Sequence, residues 1–120
     1  MGTRADFYIG RGKSAEWLGS IRWDGYPSDI APEVLGATSE ADYRAAVSTF
    51  FSKRKDVTLP EDGWPWPWEG SRTTDYAYAF DGGAVHASCL GHAWFDPLKE
   101  EPGDSCAGEK VAAFPDMSAV

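Results

Sequence analysis

Long apolar runs are missing from this 120-residue chain. With no stretch of about 18 apolar residues, no helix is expected to cross a membrane. Nor does a basic start lead into an apolar segment, so no signal peptide is expected. Basic groups are scarce: 11 Lys and Arg face 19 Asp and Glu, for a net charge of −8. The deficit is uneven, since residues 1–55 carry 8 basic and 7 acidic groups while residues 56–120 carry 3 and 12. Such a second half would repel phosphate, which argues against direct nucleic-acid binding. Two cysteines, Cys89 and Cys106, are too few for a disulfide framework and are expected as reduced thiols in a cytosol. GxSxG, HExxH and paired-carboxylate patterns are all absent. The chain therefore reads as a binding protein rather than an enzyme, with no cofactor expected, although catalytic groups often converge from distant positions.

What remains suffices for one core. Hydrophobic residues make up 42% and aromatic residues 14%, so residues 1–120 are read as a single domain. Two strands, Asp6–Gly10 and Glu16–Trp23, flank the glycines of Gly10-Arg11-Gly12-Lys13, which suit a reversal. Period-2 alternation sets Phe7 and Ile9 against Asp6 and Tyr8, and Trp17, Gly19, Ile21 and Trp23 against Glu16, Leu18, Ser20 and Arg22. After a linker with one helical turn near Ile30–Leu35, Ser39 and Asp42 form a capping-box pattern. Tyr43, Val47, Phe50 and Phe51 then make one apolar stripe, predicting a helix over Ser39–Arg54 that ends in Lys53, Arg54 and Lys55. Residues 57–71 alternate prolines with Trp64, Trp66 and Trp68 and read as an ordered irregular loop. A second hairpin follows, from Thr74–Phe80 through Asp81-Gly82-Gly83 to Ala84–Leu90. Short strands are expected at His92–Phe95 and Val111–Phe114. The fold class is α+β: an antiparallel sheet of four to six strands with one main helix packed on a face.

Few residues suggest chemistry. Gly12-Lys13-Ser14 lacks the earlier glycine of a phosphate loop, that position being Phe7. His86, Cys89 and His92 have metal-like spacing, but His86 and Cys89 fall on opposite faces of a strand, so no metal site is expected. Trp64, Trp66 and Trp68 stand out, and two readings apply. They roof the core, or they form a recognition patch of the kind tryptophan favours at interfaces.

The start Met1-Gly2-Thr3-Arg4, followed by Trp23-Asp24-Gly25-Tyr26-Pro27, resembles small proteins of unassigned function from phages and bacterial mobile elements. The resemblance covers the first quarter of the chain and implies a setting, with no mechanism. Arg4 and Asp24 are expected at the same sheet end, within salt-bridge reach. Together these features suggest an inhibitor of a host nucleic-acid-handling defence complex, of the anti-CRISPR type, acting in the bacterial cytoplasm. Its partner would be a host protein with a basic surface, met by Trp64, Trp66, Trp68, Glu69, Glu100, Glu101 and Asp104. The rival readings are a small enzyme or nucleotide-binding protein using Arg4, Asp24 and Tyr26, or a virion or assembly component.

Overall fold

The computed structural model describes residues 3–68 and 70–99. In chain order these form β1 (Ala5–Ile9), β2 (Glu16–Ile21), α1 (Pro32–Leu35), α2 (Glu40–Ser52), β3 (Val57–Thr58), β4 (Tyr76–Asp81) and β5 (Ala84–Cys89). The strands build one sheet in the order β3-β2-β1-β4-β5. The fold is α+β, with one main helix and a short one. Both predicted hairpins are present. Gly82 and Gly83, with φ of 63° and 83°, make the second reversal in the left-handed backbone that glycine adopts freely.

The sheet is not wholly antiparallel. At its centre β1 pairs with β4 in parallel, Ala5 opposite Tyr76 through Ile9 opposite Phe80. The two hairpins thus join side by side, with α1, α2 and β3 in the connection between them. Val57–Thr58, read from the sequence as loop, adds the short edge strand β3 against Ser20 and Ile21. The expected strand at His92–Phe95 is reduced to one bridge, Ala87 to Phe95. Val111–Phe114 lies outside the described residues.

Helix α2 covers one face of the sheet. Ser39 caps it by accepting the Asp42 N–H at 3.2 Å. Tyr43, Val47 and Phe51 are buried against Phe7, Ile21, Tyr78 and Phe80, while Phe50 is partly exposed at the edge of this core. The Phe51 ring meets Phe7 edge-on, with centroids 5.3 Å apart. On the opposite face lie Tyr8, Ala77 and Ala79, with Trp17 and Trp94 against them. The alanines keep this face low and leave depth for bulky side chains above it.

Trp17 does not share a face with Gly19 and Ile21, contrary to strict alternation. Phe7 pairs with Gly19 but Tyr8 pairs with Trp17, so Leu18 is the extra residue of a bulge. Gly19 absorbs the irregularity with φ of 146°. A Cβ there would lie 2.7 Å from Phe51 Cε2 and 2.9 Å from the Thr58 carbonyl oxygen. The bulge sends Leu18 toward the helix and turns Trp17 to the other side, where its Nε1–H reaches Ser20 Oγ at 3.0 Å.

Candidate functional site: a tryptophan roof over a buried carboxyl

Asp6 sits in the middle strand, fully buried on the alanine-lined face. Its Oδ1 accepts Ser20 Oγ–H at 2.5 Å and Trp66 Nε1–H at 2.6 Å, and its Oδ2 accepts from Ser71 Oγ at 2.6 Å. Ser71 continues to the Tyr8 hydroxyl at 2.7 Å. Burial pushes the Asp6 carboxyl above its usual range, while the bonds from Ser20, Ser71 and Trp66 pull the other way. Burial also raises the Tyr8 hydroxyl, and the neighbouring Asp6 adds to that.

The tryptophan loop lies over this network. Trp66 stacks on Trp68 at 5.5 Å, and Trp64 meets Trp17 edge-on at 5.0 Å. Each indole N–H has an internal acceptor. Trp64 donates to the Trp68 carbonyl at 2.7 Å, Trp66 to Asp6, and Trp68 to Thr74 Oγ1 at 2.8 Å. The Arg4 guanidinium lies 5.9 Å from the Trp66 ring and 5.1 Å from the Trp68 ring, held by Asp75 at 3.2 Å. All three tryptophans are half-buried, so they roof the second face and still present ring surface to solvent. Roofing and recognition are therefore not exclusive. Of the other residues expected at this surface, Glu69, Glu100, Glu101 and Asp104 lie outside the described residues.

Arg4 and Asp24 do not pair. Their backbones approach, with the Gly25 N–H on the Thr3 carbonyl at 2.8 Å, but the side chains diverge. Arg4 goes to Asp75, whereas Asp24, in left-handed backbone at φ of 61°, lies 3.7 Å from Arg54. Tyr26 turns its ring against Tyr76, at 5.5 Å. The three residues of the nucleotide-binding reading thus have three separate partners.

The histidines also have local partners: His86 Nε2 meets the Asp81 carbonyl at 3.0 Å and His92 Nδ1 the Cys89 carbonyl at 2.6 Å. Among the described residues no group of three or more His, Cys, Asp or Glu is placed to hold a metal ion. The expectation of reduced thiols is corrected for Cys89, which is buried and disulfide-bonded. The other cysteine, Cys106, lies outside the described residues. An open groove of about 500 Å³ runs between α2 and β3, with Leu18, Val47, Phe51, Val57 and Leu59 along it.

Sequence reasoning passed over Asp6, Ser20, Ser71 and Thr74. The available signal was an acidic residue inside an apolar strand, with a serine at the matching position of its hairpin partner. Among the described residues no helix is long and apolar enough to cross a membrane. No family model, curated protein or solved structure matches the chain.

Proposed function

We propose that this is a binding protein that acts on a host protein, and that the roof formed by Trp64, Trp66 and Trp68 is its contact surface. The observation that carries the reading is the set of three internal indole bonds. Rings already fixed in place lose little freedom on binding, and tryptophan is the residue type most enriched at interface hot spots. The net charge of −8 suits a basic partner surface, which it would attract before contact. In the phage or mobile-element setting that the N-terminal resemblance implies, the target is a nucleic-acid-handling defence complex and the effect is inhibition. The bacterial cytoplasm would be the site of action.

A plating assay tests the inhibitor. Expressed in bacteria immunised against a phage by their CRISPR system, the protein is expected to restore plaque formation. Unchanged immunity across the system types, with the protein present and folded, overturns the reading. Detection of the protein in purified virions would favour an assembly role instead.

A further inference from the structure

Three indole N–H groups converge on the carboxyl of Asp6, one directly and two through a hydroxyl. Trp66 donates straight to Oδ1 at 2.6 Å. Trp17 donates to Ser20 Oγ at 3.0 Å, and Ser20 donates onward to Oδ1 at 2.5 Å. Trp68 donates to Thr74 Oγ1 at 2.8 Å, and the Thr74 hydroxyl in turn bonds to Asp6. Because Trp64 packs edge-on against Trp17, the whole roof leans on this one acidic group.

No counter-charge supports it. Ser20, Ser71, Thr74 and Trp66 are neutral, and among the described residues no cation pairs with Asp6. Arg4 lies over the Trp66 and Trp68 rings but is tied to Asp75. Beside Asp6, β4 contributes Ala77, and on its own strand Tyr8 reaches it through Ser71. On the same face β5 places His86 next to Ala79, with its ring on the Asp81 carbonyl, while Ser88 donates to the His92 carbonyl.

An ionised carboxylate in this position calls for water. Ser20, Ser71 and Thr74 are at most 1% exposed, whereas Trp66 is half-buried. Water therefore reaches Asp6 most directly where the Trp66 indole sits. A protonated carboxyl needs no water, since its O–H can donate to Ser71 Oγ and the Ser71 proton can turn to the Tyr8 oxygen. The Ser71–Tyr8 contact of 2.7 Å accommodates either direction. In the closed roof burial outweighs the hydrogen bonds and holds the carboxyl above its ordinary value, to which hydration would return it. The closed roof thus binds the proton more tightly than an opened one, and by linkage low pH favours closure.

We propose that Asp6 is a proton-operated latch on the tryptophan roof: protonated, it keeps Trp66 seated, and ionised, it admits water and releases the ring. The inference rests on the reading of the roof as a contact surface, to which it adds control by pH. Acid fixes the rings for binding, and rising pH loosens them.

Nuclear magnetic resonance of the intact protein tests the latch. The Trp66 indole N–H, assigned by its loss in Trp66→Phe, reports opening through exchange with solvent. Corrected for base catalysis of exchange, opening should rise by up to about tenfold per pH unit above the ordinary carboxyl value. It should level off at the pH where the Asp6 carboxyl carbon titrates. Asp6→Asn should abolish the rise, because an amide does not ionise, and His86→Gln should leave it unchanged. If Asp6→Asn does not fold, the comparison of indole and carboxyl carbon in the unaltered protein decides alone. Opening that ignores pH overturns the proposal, as does opening that falls with rising pH, the sign of a carboxylate gripping the indole more tightly. A rise that tracks a histidine ring instead of the Asp6 carbon also overturns it. All these readouts come from the free protein, so the latch and the proposed inhibition can fail separately.

Discussion

Trp66 donates its indole N–H to Asp6 Oδ1 across 2.6 Å, a bond that joins a surface loop to the central strand of the sheet. Among the described residues no cation pairs with Asp6, and Ser20, Ser71 and Trp66, which donate to it, are neutral. Its stability contribution therefore runs in the direction opposite to that of an ion-paired carboxylate. Burial raises the folded-state value above 3.8, so the folded protein keeps a proton that the unfolded chain has lost. That contribution is full below the ordinary value and is lost as pH rises through the raised one. Asp6→Asn should flatten this fall, because the amide oxygen can still accept from Trp66 and Ser20 and the amide N–H can donate to Ser71. Urea melts of both proteins across acidic to neutral pH check it, and equal slopes would refute it.

Asp56 behaves the other way. Burial raises its carboxyl, but the Arg54 guanidinium and the Trp23 N–H outweigh that and hold it below its usual range. Its contribution is present above the unfolded value and lost as pH falls through the depressed one. Arg54→Ala would leave this buried carboxylate with two backbone donors and no cation. A loss of about 2–4 kcal/mol is expected, short of the fully buried range because Arg54 retains some exposure. Chemical denaturation measures it, and a loss below about 1 kcal/mol would count against the role of the pair.

Gly19→Ala should be among the most damaging small substitutions. The new methyl would collide with a core ring and a backbone oxygen, and the positive φ is unfavourable for alanine. Strain and overpacking together should cost about 2–5 kcal/mol. Gly12→Ala is the control, since no atom lies within 4 Å of a Cβ there and only its φ of 101° opposes the change. Near-equal melting temperatures for the two variants would contradict the close packing at Gly19.

The two adjacent phenylalanines of α2 should separate in a truncation experiment. Phe51 is buried against Phe7, whereas Phe50 is partly exposed and shares its ring face with the Arg54 guanidinium at 5.1 Å. Phe51→Ala should cost about 3–5 kcal/mol and Phe50→Ala distinctly less. Thermal melts of the two variants decide it.

Trp66→Ala should lower the melting temperature of the free protein as well as weaken any partner. The ring leaves Asp6 with one donor fewer and Trp68 without its stacking neighbour. A buried acceptor losing a bond costs about 1–3 kcal/mol. Trp66→Phe keeps ring area but not the donor, so the difference between the variants isolates the hydrogen bond.

Elements with strong local patterning were legible in the sequence: the two glycine turns, the Ser39 cap and, of the Tyr43-Val47-Phe50-Phe51 stripe, all but the partly buried Phe50 lie where periodicity put them. Tyr76, Tyr78 and Phe80 likewise face the helix, with Ala77 and Ala79 opposite. Non-local choices were not legible. Whether β1 meets β4 in parallel depends on a contact between residues some 71 positions apart, which no local period encodes. The bulge at Leu18 was missed because strict alternation has no place for an extra residue. Arg4 and Asp24 were close in backbone, as expected, but nearer partners captured each side chain. The tryptophan loop stood out by composition, while the carboxyl beneath it was hidden because one aspartate in a strand carries no pattern.

The parallel pairing of β1 with β4 also orders events in time. The first hairpin can form as soon as residues 5–21 are free, but one edge of β1 then waits for a strand that begins at Tyr76. Until that strand arrives, Asp6 has Ser20 but lacks Ser71 and Trp66, and Phe7 lacks Tyr78. Closing the sheet requires the intervening chain to be brought back to its start, an entropic cost met before the central contacts form. On a ribosome, the N-terminal hairpin would stay half-dressed until most of the described chain had emerged. Refolding should accordingly be slow for a protein of this length, with the tryptophan fluorescence of the roof among the last signals to recover.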